Sequence, residues 1–209
     1  MSNTILESSP VLTLPSDARR VAIGLGLWWL AATGLALSGA FSLERRALVP
    51  AAILSALAML VLSYRTGGAF RRVCDAVPLR AWVLLHAVRA PIGVGFFVLA
   101  VTDGLDGTFT QVAGWGDLTV GLLAVLVSLA LPALDARRTR IVGLWNGFAA
   151  LDIFAVVITA QRALLFSDHP ESMSALLRFP GPMLPLVIVP VVIATHALIA
   201  LRLWRGDRE

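Results

Sequence analysis

The sequence predicts an all-α polytopic membrane bundle of six transmembrane helices, with a short external interfacial helix between spans 5 and 6. Three observations carry this prediction. Apolar residues make up 58% of the chain and charged residues only 14%, against roughly 25% charged in soluble domains. Six apolar runs each approach the ~20 residues a helix needs to cross a bilayer. The basic residues gather in the short gaps between those runs, as loops at membrane faces require.

Span 1 covers roughly residues 20–41 and follows Arg19 and Arg20. Its apolar stretch is longer than the 7–15 residues of a signal peptide, so it reads as a retained helix. Span 2, 47–64, has Pro50 at its start, where a first helical turn tolerates proline. Span 3 is 80–102 and span 4 is 115–134; the loop between them, DGLDGTFTQVAG, has no basic residue. Span 5, 141–162, opens on Gly143-Leu-Trp-Asn-Gly147, a small-xxx-small face suited to close helix packing. Span 6 is 183–204. Before it, Asp168 is positioned to cap a short helix with Pro170 and Glu171 in its first turn. Met173, Leu176, Leu177 and Pro180 give that helix an apolar face for the interface. The expected division is a tail at 1–18, one six-helix domain at 19–205 and a tail at 206–209.

Orientation follows from the arginines. Arg19, Arg20, Arg65, Arg71, Arg72, Arg80, Arg137, Arg138, Arg140, Arg202, Arg205 and Arg208 fall at one face; Arg45, Arg46, Arg162 and Arg178 fall at the other. Twelve against four places both termini in the cytoplasm. The expected location is the bacterial cytoplasmic (inner) membrane. This distribution accounts for the net charge of +4, so no nucleic-acid partner is implied; the lipid bilayer is the partner.

Composition also excludes chemistries. All seventeen basic residues are arginine, so a lysine Schiff base and a Walker-type phosphate loop are ruled out. A single cysteine, Cys74, excludes an internal disulfide and a cysteine-based metal or cluster site. No HExxH or GxSxG motif is present, so the chain does not read as an enzyme. His169 reads as a solvated loop residue. Trp82, Trp145 and Trp204 read as an aromatic belt at one interface.

The candidate binding residues are His86, Arg89, Asn146, Asp152, His196 and Asp117. His86 and Arg89 are three apart within span 3 and so share a helix face. Ionisable groups at membrane depth are costly and are kept facing a protein interior, with partners. Counting inward, His86, Asn146 and His196 lie about 8–12 Å from the cytoplasmic face. Arg89 and Asp152 lie nearer the midplane. Arg89 stays protonated and needs an anion. Asp152 fits best by depth; Asp117 is the alternative and otherwise belongs to a separate outer vestibule. Pro91, followed by Gly93 and Gly95, is expected to bend span 3 and open one cavity in the cytoplasmic half, lined by the first five residues.

Several motifs resemble an uncharacterised family of small bacterial integral membrane proteins. They are R-A-P at 89–91, G-W-G-D at 114–117 with Gly121, W-N at 145–146, and the run F-P-G-P-M-L-P…P…H from Phe179 to His196. The resemblance spans about half the chain. It implies the same topology and a shared Arg–Asp–Asn–His set, and brings no activity with it. The family pattern has an acidic residue after the proline of the R-x-P element, where this chain has Gly93, and lacks His86.

Three functions follow as expectations. Titratable histidines beside a midplane ion pair suit small-solute or proton-coupled transport or binding, with a small polar solute or anion as ligand. Six spans are few for a single carrier, so a homo-oligomer is expected. An accessory or structural subunit is the alternative, with the ion pair holding the bundle. No cofactor is expected; the further alternative is one b-type haem between His86 and His196.

Overall fold

The computed structural model describes residues 14–129 and 136–206. The tails before Leu14 and after Gly206, Arg208 included, the end of span 4 at 130–135, and the side chains of Arg137 and Arg138 lie outside the described residues. Among those described, every regular element is helical: α1 (Leu14–Leu37), α2 (Leu48–Arg65), α3 (Ala69–Ala76), α4 (Leu79–Leu85), α5 (Arg89–Asp103), α6 (Gly107–Leu129), α7 (Ala136–Gln161) and α8 (Val189–Arg205). Six helical stretches are long and apolar enough to cross a membrane, with α4 and α5 forming the third. The chain is a membrane protein. A 3-10 helix, Pro170–Leu177, lies between spans 5 and 6, in the place of the expected short helix.

The boundaries depart from expectation at three points. First, α6 begins at Gly107, eight residues ahead of the expected start of span 4. Asp106 starts it: its carboxylate accepts the Phe109 N–H at 2.7 Å, and its backbone carbonyl accepts the Thr110 N–H at 2.8 Å. Gly104, at φ 66°, ends α5 in the left-handed conformation, so the turn between the spans is only residues 104–106. Second, the chain around Cys74 forms the short helix α3, rather than a loop. Bidentate hydrogen bonds from Arg72 to Asp17 (2.6 and 3.1 Å) fasten α3 to α1. Third, His169 precedes the 3-10 helix without any side-chain cap, so Asp168 does not play the expected part. Met173 and Leu177 are buried; they turn toward the bundle instead of lipid.

Span 3 is interrupted just before Pro91. α4 ends at Leu85, a 3-10 turn covers His86–Val88, and α5 resumes at Arg89. Pro91 has no N–H to give the Ala87 carbonyl four residues back, so the expected irregularity falls in this turn.

The packing of α5 on α6 rests on absent side chains. A Cβ on Gly93 would come within 2.6 Å of the Gly114 carbonyl oxygen and 2.7 Å of the Leu118 nitrogen; one on Gly121 would collide with the backbone of Ala90. The Gly143/Gly147 face expected to pack closely does not do so within the chain: a Cβ on Gly147 meets nothing within 4 Å. Small-residue packing is real here, but it belongs to a different pair of helices.

Two apolar clusters result. One holds Phe96, Phe109, Ala113, Ile153, Met173, Leu177 and Val192. The other holds Leu79, Val83, Val120, Ala124, Val142, Trp145, Ala149 and Ile199. Along span 3, α6 and α8, one layer of buried polar residues falls between the two: His86 and Arg89, then Asp117, then Thr195 and His196; buried Thr110, Ser128 and Arg202 lie outside it.

Candidate functional site

Arg89 is 1% exposed and joins three helices. Its Nε donates to Asp117 Oδ1 on α6 at 2.5 Å. Nη2 donates to Asp152 Oδ2 on α7, and Nη1 donates to the Ala149 carbonyl at 3.2 Å. The expected choice between Asp152 and Asp117 is therefore replaced by a triad in which Arg89 binds both. Asp117 is not in an outer vestibule: it is 4% exposed. The early start of α6 is the reason. It places Asp117 ten residues, or about 15 Å, into the helix.

The G-W-G-D run serves this triad. A Cβ on Gly114 would sit 2.6 Å from the Phe97 ring, and one on Gly116 would collide with the Asp152 carboxylate. Gly116 thus opens the space Asp152 occupies, and Asp117 supplies the second carboxylate. Trp115 is exposed, its Nε1–H donating to Gln111 Oε1 one turn back at 3.1 Å.

A second polar group lies beside the triad. The imidazoles of His86 and His196 stack with centroids 4.1 Å apart and planes at 28°; Trp145 meets His86 edge-on at 5.4 Å. Asn146 fixes His196: its Nδ2 donates to the His196 carbonyl at 3.2 Å, so its Oδ1 accepts from His196 Nδ1 at 2.8 Å. The Thr195 hydroxyl donates to the Val191 carbonyl at 2.8 Å, leaving its oxygen to accept from His86 Nε2 at 3.2 Å. Trp145 is thus part of this layer, 5% exposed, and not part of an interfacial belt. Thr195 is a member that the sequence reading missed.

These rings do not fit a haem. Two axial histidines must point one nitrogen each at an iron from opposite sides of a porphyrin. Here the ring faces are in direct contact, and one nitrogen of each ring is committed to Thr195 or Asn146. Among the described residues no group of three or more His, Cys, Asp or Glu side chains is arranged to hold a metal ion.

The expected single cavity is also corrected. A cavity of about 80 Å³ has Arg89 and Asp117 on its wall, but His86, Asn146 and His196 do not line it. It runs from the triad away from the arginine-rich end, toward Met173, Leu176 and Leu177 of the 3-10 helix. Gln161 apart, its remaining walls are apolar, with Ile53, Phe96, Phe109, Ile153 and Ala160 among them. Stacking fills the space among the histidines, which is why the cavity stops at the triad. Gln161, at the end of α7, also lines it, and its Oε1 is buried without a hydrogen-bond partner. A polar residue ending an apolar span was the available signal for Gln161.

Fold and site together define a polytopic membrane protein built around a buried arginine–dicarboxylate triad. The chain belongs to the family described as Domain of unknown function (DUF8737), whose sequence profile matches residues 47–204, roughly three-quarters of the chain. No curated protein and no solved structure matches it.

Proposed function

We propose that this protein binds a small solute in the cavity beside Arg89 and Asp117 and carries it across the membrane, coupled to protonation of the triad. One observation carries the reading: a single arginine is buried with two carboxylates, and one of them faces a cavity. With all three ionised, the triad has one positive and two negative charges. An uncompensated charge at membrane depth is expensive, so the triad suits a group that gains and loses a positive charge during a transport cycle. The arginine split supports cytoplasmic termini in a bacterial inner membrane. The small number of spans supports a homo-oligomer.

Proteoliposomes with an entrapped pH dye test this. Challenged with small anions, neutral solutes and amines, they are expected to show a solute-dependent pH change that Asp117→Asn abolishes. No such change with folded protein removes the carrier reading. The accessory role would then lead; the close packing of the histidine layer, which has no access to the cavity, is the observation in its favour.

A further inference from the structure

We infer that the cavity takes a small primary ammonium ion with a short apolar body, which exchanges for a proton at the triad. The inference rests on the carrier reading and adds the ligand's charge and shape.

Charge comes first. The ionised triad is one positive charge short. A proton on a carboxylate makes up the deficit, and so does a cation in the cavity. An anion would double it. Arg89 has already given three of its five N–H groups to Asp117, Ala149 and Asp152, so an anion would have to compete with two carboxylates for the two that remain. Displacing either carboxylate would break a buried pair.

The polar atoms facing the cavity then narrow the class. Asp117 gives one of its two oxygens to Arg89. Gln161 adds an acceptor with no partner. It stands nine residues along α7 beyond Asp152, a rise of about 13 Å from the level of the triad, so it is a separate acceptor further along the cavity wall. These are too few oxygens for a bare metal cation, which takes about six to eight. A primary ammonium needs fewer, because it brings its own N–H donors. Phe96 and Phe109 pack edge to face at 5.1 Å on the cavity wall, and aromatic faces attract ammonium groups in dry surroundings.

Size and lining set the rest of the ligand. A dry cavity of about 150 Å³ accommodates benzene, with six carbons; at about 80 Å³ this one suits about three non-hydrogen atoms, an ammonium on about two carbons. The apolar wall favours an alkyl group over a polar one. Balance is kept in the exchange: the ammonium enters with one positive charge, one proton leaves the triad, and the buried charge does not change. His86 and His196, the titratable groups nearest Arg89 on the other side, are separated from the cavity and stay outside the exchange.

The experiment compares three near-isosteric probes on the full-length protein in detergent: ethylammonium chloride, ethanol and sodium acetate. Thermal midpoint and proton release into weak buffer are both read. Ethylammonium is expected to raise the midpoint and release about one proton per protein bound. The other two should do neither. Asp117→Asn should weaken ethylammonium binding by roughly tenfold or more, as loss of a charge-assisted hydrogen bond implies. Ala160→Phe fills the cavity without touching the triad, keeps the test readable if Asp117→Asn fails to fold, and should abolish the response. A response to acetate or ethanol as large as to ethylammonium overturns the inference and leaves the carrier reading standing. No response to any of the three also overturns the inference, and the proteoliposome assay then decides the carrier reading.

Discussion

The Asp152 carboxylate stands where a Cβ on Gly116 would be. Replacing Gly116 with alanine must push Asp152 away from Arg89 or force α6 and α7 apart. We expect Gly116→Ala to destabilise the protein by about 2–4 kcal/mol, combining overpacking with a weakened buried pair. Gly147→Ala, where nothing lies within 4 Å, should be neutral or stabilise by up to ~1 kcal/mol through helix propensity. Equilibrium unfolding in detergent micelles compares the two; equal effects would contradict the packing described.

Single removals from the triad should cost more than removing it whole. Arg89→Met leaves two carboxylates facing each other, and either Asp117→Leu or Asp152→Leu takes away one of the two anions that Arg89 holds. Each is expected to cost about 3–5 kcal/mol. The triple variant Arg89→Met/Asp117→Leu/Asp152→Leu should recover part of that loss, because matched apolar replacements of buried charges are often tolerated. A triple variant less stable than every single variant would show that the charges themselves hold the helices together.

Cys74 gives a pH-dependent readout. Burial, with help from Asp75, pushes its thiol up to about 11, whereas an unfolded cysteine titrates near ~8.5. Only the thiolate reacts with alkylating agents. Iodoacetamide modification of the folded protein should therefore rise about tenfold per pH unit up to about pH 11, while the denatured chain levels off some two units lower. A folded-state profile that levels off near pH 8.5 would mean that α3 detaches from the bundle.

That slow thiol shapes the orientation test. In a Cys74→Ser background, a cysteine placed at exposed Glu171 should react with membrane-impermeant maleimide added to intact cells. One placed at exposed Arg205 should react only after lysis. The opposite pattern would reverse the proposed topology.

Much of this molecule was legible from composition alone. Twenty-residue apolar runs have few alternatives to spanning helices, and counting inward from their basic ends brought His86, Asn146 and His196 to one level, where the structure has them in contact. Asp117 lies deeper than its sequence position suggests for a local reason: Gly107-Thr-Phe-Thr-Gln reads as a polar loop, and only the Asp106 cap makes it helical. The cavity lies at the other end of the bundle from the one expected because its position depends on how helices splay, which no periodicity encodes. Gly116 shows the same limit. Its role as the receptacle for a carboxylate 36 positions later exists only once α6 and α7 lie side by side.

The reach of Arg89 across α5, α6 and α7 bears on how the chain is made. Its two anionic partners lie 28 and 63 residues downstream. At ordinary synthesis rates of 5–20 residues per second, the second appears roughly 3–13 s after Arg89 itself. During that interval span 3 carries a charged group that hydrocarbon would reject. The charge pairing of span 3 is therefore completed only when the fifth helix arrives, so the triad closes as a late event of assembly, ordered by the chain itself.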